Sequence, residues 1–97
     1  MPTYITLINF TEKGIQTIKN FQKNQAEAVK AAEGMGGKVK SLFMTMGEYD
    51  AVVIGESPSD EVHVAGAIAA SMDGNIRTKT LRAFTPEEFA KIVGMLP

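Results

Sequence analysis

A chain of 97 residues, 44% hydrophobic and 22% charged, has the size of one domain and the composition of a globule, which excludes a second domain, a disordered tail and a collagen-like rod. Its net charge of −1 supplies no global field for nucleic acid or an anionic membrane surface, and no apolar run approaches the roughly 20 residues of a membrane span. The absence of cysteine removes disulfides and thiolate chemistry, and the single histidine, His63, rules out a histidine-rich metal site. The residues Met1-Pro2-Thr3 carry no signal-peptide pattern, so a cytoplasmic protein is expected, with no cofactor and no metal.

Thr3-Tyr4-Ile5-Thr6-Leu7-Ile8-Asn9-Phe10 is β-branched and aromatic throughout and predicts a first strand. Thr11 is an N-cap candidate with Glu12 in the first helical turn. The apolar spacing Ile15, Ile18, Phe21 predicts a helix, and Ala28, Val29, Ala32 and Met35 resume it in a different phase, so a bend is expected near 21–24. Gly34, Gly36 and Gly37 end that helix.

Residues 38–46 read as a second strand, with Leu42, Met44 and Met46 as core filler. Gly47-Glu48 suits a two-residue type II′ turn, which predicts an antiparallel third strand over 49–56. Ser57-Pro58-Ser59-Asp60 signals a helix start, with Ser57 as cap and Pro58 at the first helical position, and the helix runs to about Met72. A fourth strand over 76–84 follows, and Thr85-Pro86-Glu87-Glu88 has the spacing of a capping box before a short final helix. The order β-α-β-β-α-β is that of a ferredoxin-like α+β domain occupying 1–97, with a four-stranded antiparallel sheet and a short C-terminal helix.

Strand alternation bears on assembly. The first strand is apolar on both sides, Ile8 and Phe10 against Ile5 and Leu7, and so is the third, Ala51 and Val53 against Val52 and Ile54. An antiparallel sheet with one solvated face alternates apolar with polar residues. This one therefore expects a cover on both faces. The chain has helices for only one, which predicts a homodimer or higher homo-oligomer packed sheet against sheet as a dimeric α+β barrel.

Three segments, Thr6-Leu7-Ile8-Asn9-Phe10-Thr11-Glu12, Gly47-Glu48-Tyr49-Asp50-Ala51-Val52 and Asn75-Ile76-Arg77-Thr78 followed by Thr80-Leu81-Arg82-Ala83-Phe84-Thr85, carry a family resemblance. The chain resembles the GYD domain family over nearly its whole length, with the motif in the form G-x-Y-D. The resemblance implies a ferredoxin-like fold similar to the dimeric α+β barrels. That superfamily contains cofactor-free monooxygenases, haem-degrading enzymes and ligand-sensing domains, so the resemblance does not select a reaction.

Antiparallel pairing of the first and third strands places Asn9, Tyr49 and Asp50 at one end of the sheet. These are the first ligand-binding candidates, with Asp50 as base or polar anchor and Tyr49 as donor; the plainer role for Asp50 is to satisfy loop amides. His63 titrates near neutrality and follows the third strand, which puts it at the other end of the sheet, beside Tyr4. His63 and Tyr4 form a secondary candidate site, although a solvated helix histidine is the expectation for His63. The loop Gly34-Met35-Gly36-Gly37-Lys38 lacks the preceding strand and the terminal hydroxyl residue of a phosphate loop. The strand Ala51-Val52-Val53-Ile54-Gly55 offers no aromatic for stacking bases, which argues against nucleic acid. Two functions follow as expectations: a homo-oligomeric small-ligand-binding or assembly module, and a cofactor-independent monooxygenase-like enzyme acting on a small apolar substrate.

Overall fold

The computed structural model describes residues 1–97. Its elements are β1 (Thr3–Phe10), α1 (Glu12–Gln16), a 3₁₀ turn (Ile18–Asn20), α2 (Phe21–Gly34), β2 (Lys38–Met44), β3 (Ala51–Glu56), α3 (Asp60–Ser71), β4 (Ile76–Ala83) and α4 (Pro86–Val93). The strands form one antiparallel sheet in the order β2-β3-β1-β4, so β2 and β4 are its edges. This is the ferredoxin-like α+β arrangement. No helix is long and apolar enough to cross a membrane.

The helix starts are built as side-chain chemistry requires. Thr11 Oγ1 accepts from the Gly14 amide at 3.1 Å and opens α1. The helix after β1 breaks at Thr17 and the 3₁₀ turn, slightly before the predicted 21–24, and so lets α2 take up its own phase. At α3 the cap is Ser59, whose Oγ accepts from Val62 N at 3.2 Å, and not Ser57; Pro58 lies outside the helix. Thr85 and Glu88 complete a reciprocal capping box on α4, at 3.1 Å and 2.9 Å.

The β2–β3 connection corrects the two-residue turn. Strand pairing stops at Met44 and Ala51, and residues 45–50 form a wider loop. Thr45 N donates to Asp50 O at 2.9 Å and Thr45 Oγ1 donates to Tyr49 O at 2.5 Å, so a threonine side chain closes what a tight turn would otherwise close. Gly47 sits at φ +106°, where a Cβ would be strained. Met46 is 96% exposed on this loop and is not core filler.

Register assigns the two faces. Tyr4, Thr6 and Ile8 share one face with Arg82, Thr80 and Thr78 of β4 and with Gly55, Val53 and Ala51 of β3. The side chains of α3 meet this face, since His63 touches both Tyr4 and Thr6. α2 packs on β2 in the same layer. Ile5 and Leu7 therefore point to the open face, together with Ile54 and Val52 of β3, Leu81 and Lys79 of β4 and Phe43 of β2. An irregularity between Val39 and Ser41 slips the register, so that Val39 joins Leu42 on the helix face despite their odd spacing. α4 extends away from this two-layer body, which measures 53 × 31 × 18 Å with it included.

Candidate functional site

The polar cluster on the helix face grows from Tyr4. This residue sits near the start of β1 and is one of only four buried residues of the chain, 3% exposed, so its hydroxyl needs a partner. It donates to Asp60 Oδ1, supplied by the first turn of α3. That hydrogen bond, reinforced by burial, holds the phenol above its ordinary pKa. Arg82, opposite Tyr4 on β4, places its guanidinium 5.7 Å from the Tyr4 ring centroid and 4.5 Å from that of Phe84.

One turn along α3, His63 stacks on Tyr4 with ring centroids 4.2 Å apart and planes 9° from parallel. Its Nε2 lies 3.4 Å from Thr6 Oγ1 and 3.3 Å from Thr80 Oγ1, two residues directly paired across β1 and β4. On the other side Nδ1 lies 3.4 Å from the buried Ser57 Oγ. His63 is thus half-buried among three hydroxyls, which corrects the expectation of a solvated helix side chain. Burial pushes its pKa below the ordinary value, against the opposing pull of the Asp60 carboxylate.

A shallow cleft of about 460 Å³ adjoins the cluster between α3 and the edge strand β4. Val64, Ala67, Ile68 and Met72 form its apolar side, and Thr78, Thr80 and Ser71 its polar side. Thr80 belongs both to this cleft and to the His63 cluster. A second cleft adjoins it along α3, sharing Val64 and Ile68, and Asp60 and Glu61 give it an acidic end. No three metal-ligating side chains converge anywhere in the fold.

The first candidates lie at the opposite end of the sheet, and neither cleft reaches them. Asp50 Oδ2 accepts from Phe10 N at 2.8 Å, and Asp50 N donates to Ile8 O at 2.8 Å, so the residue closes the end of the β1–β3 ladder. Tyr49 lies beside Lys79, whose Nζ is 5.7 Å from the ring centroid. Asn9 pairs with Arg77 on β4. His63 and Tyr4, by contrast, come together as their sheet end predicted. Sequence reasoning missed Thr6, Thr80 and Ser57; the signal for Thr6 was its position two residues from Tyr4 on the same side of β1, and that for Thr80 its place opposite Thr6 on β4.

The fold is similar to the crystal structure of TTHA0845 from Thermus thermophilus, at 22% identity and a TM-score of 0.55, covering 88% of this chain and 95% of that one. It is also similar to the crystal structure of FFRP-DM1, at 21% identity and a TM-score of 0.54, covering 87% of this chain and 100% of that one. At such identities the likeness is one of fold. No curated protein matches the chain. The family model of the GYD domain matches residues 4–93, through the same strands and the same β2–β3 loop described above, and the chain belongs to the GYD domain family.

Proposed function

We propose that this chain acts as a homo-oligomeric module that joins open sheet face to open sheet face and keeps the α3–β4 cleft free for a small, largely apolar ligand. The surface area of the single chain carries this reading. It exposes 6954 Å², whereas a compact monomer of this mass exposes about 5,400 Å². The excess, on the order of 1,500 Å², is shared between the projecting α4 and the uncovered sheet face, and it leaves room for the roughly 800 Å² each partner contributes to a standard interface. Phe43 and Leu81, 61% and 51% exposed, flank the apolar centre made by Ile5, Leu7, Val52 and Ile54. Both clefts lie on the helix side, so packing the open faces together leaves them accessible.

Sedimentation velocity at micromolar concentration tests the assembly. The wild-type chain is expected to sediment as a dimer or larger, and Leu7→Lys, at the centre of the open face, as a monomer. A wild-type monomer overturns the reading. Thermal-shift screening with small aromatics tests the ligand, the expected result being stabilisation.

One observation favours a second reading, a cofactor-independent monooxygenase-like enzyme: the only histidine of the chain stands behind a cleft with its neutral form favoured by burial, as a general base requires. Dioxygen uptake with a panel of small apolar substrates, without added metal or flavin, checks it; the absence of uptake removes it.

A further inference from the structure

We propose that the cleft between α3 and β4 binds a neutral, largely apolar molecule carrying a hydroxyl group, and that Thr80 Oγ1, backed by His63 Nε2, is its anchor. The proposal rests on the reading of that cleft as a ligand site and names the class of ligand it takes.

The lining sets the first constraint. Val64, Ala67, Ile68, Met72, Thr78, Thr80 and Ser71 include no charged side chain, so the cleft offers a ligand charge no partner and favours a neutral molecule. Asp60 and Glu61, in the first turn of α3 beside the adjoining cleft, further disfavour an anion. At about 460 Å³ the cleft falls within the range of roughly 300–1,000 Å³ typical of small-molecule sites.

The second constraint comes from the polar groups. Ser71 is spent on its own helix, its Oγ donating to Ala67 O at 2.9 Å. Thr80 lines the cleft, and its Oγ1 stands 3.3 Å from His63 Nε2. The imidazole behind it is fixed by the stack on Tyr4 and has a hydroxyl at each nitrogen, Ser57 on one side and Thr6 with Thr80 on the other. With the proton on Nδ1, Thr80 donates to Nε2 and offers the cleft a lone pair. With the proton on Nε2, Thr80 accepts from the ring and its own proton is free for the cleft. A carbonyl matches only the second state and an amine cation only the first. A hydroxyl, which both donates and accepts, matches both.

The test is a pair of probes that differ in the hydroxyl alone, 4-ethylphenol and its methyl ether 4-ethylanisole, titrated into the intact protein. His63 is the only histidine, so its two ring nitrogens give the only imidazole ¹⁵N signals and need no assignment. We expect 4-ethylphenol to shift those signals and to bind about five- to tenfold more tightly than 4-ethylanisole, the effect of one hydrogen bond. Thr80→Val should abolish the difference, and Thr80→Ser, which keeps the hydroxyl, should restore it. Equal affinities of the wild-type protein for both probes overturn the anchor while leaving the cleft as a ligand site. Failure of both to bind overturns the cleft reading with it. A phenol preference that survives Thr80→Val places the anchor elsewhere and overturns the proposal.

Discussion

The imidazole of His63 lies face to face on the phenol ring of Tyr4, centroids 4.2 Å apart and planes within 9° of parallel, and this stack joins helix α3 to the central strand β1. The charged groups around it are Asp60, Glu61 and Arg82. Burial lowers the folded-state pKa of His63 below the ordinary 6.5, so the folded chain favours the neutral ring while the unfolded chain binds the proton more readily. The stabilising effect is full above pH 6.5 and is lost as the pH falls through 6.5 toward the folded value. Denaturant midpoints measured from pH 8 to pH 5 should therefore fall in the wild-type protein, and His63→Gln should flatten that decline. An equal decline in both proteins would show that the histidine contributes nothing to it.

Asp50 provides a second test, because its carboxylate accepts from the Phe10 amide at 2.8 Å. Asp50→Asn retains an acceptor oxygen and should cost less than about 1 kcal/mol, whereas Asp50→Ala leaves the partly buried amide unpaired and should cost about 1–3 kcal/mol. Urea unfolding of the two variants at one protein concentration separates these outcomes.

Gly14 reverses an ordinary rule. Within a helix, replacing glycine by alanine usually gains about 1 kcal/mol. Here a Cβ would stand 2.1 Å from the backbone oxygen of Asn75, the same carbonyl that accepts from Thr11 N at 3.0 Å. Backbone must move to admit it, so Gly14→Ala should destabilise by about 2 kcal/mol or more, a fall in Tm of roughly 8 °C or greater for a domain of this size. An unchanged Tm in calorimetry would contradict the packing of α1 under Asn75.

The capping box of α4 is expected to act locally. The Thr85 amide donates to Glu88 and holds that carboxyl below its usual range, so the contribution is present above about pH 4.5 and lost as the pH falls through the lowered value. Because α4 extends away from the sheet, Thr85→Ala should speed hydrogen exchange of its amides by an amount corresponding to about 0.5–2 kcal/mol. Amides of β1 and β3 should exchange as before.

These results also show which parts of the structure were legible in the residues. The strands were, since the β-branched stretches of β1 and β3 leave few alternatives, and so was the capping box, which is contained in four consecutive residues. The width of the β2–β3 loop was not: Thr45 closes it by reaching Tyr49 and Asp50, and side-chain closure leaves no mark in a turn dipeptide. Ser57 and Ser59 both suit a cap, and the choice between them is made in space, where Ser57 faces His63 and its backbone amide donates to Pro2 O. The surroundings of His63 were hidden for a related reason. They are assembled from β1, β4 and the segment before α3, which meet only when the sheet has formed.

The two edge strands carry a further consequence. β2 has Lys38 and Lys40, and β4 has Arg77, Lys79 and Arg82, while only Lys40 is answered by a carboxylate, Glu56 at 3.7 Å. Any attempt to lengthen the sheet by laying one molecule's rim along another's, β2 on β4 or either on itself, brings two basic rims together at the 4.7–4.9 Å spacing of neighbouring strands. Growth into a continuous ribbon is thereby opposed on both flanks, and a molecule with this much exposed apolar surface is protected from fibre-like stacking by five basic side chains.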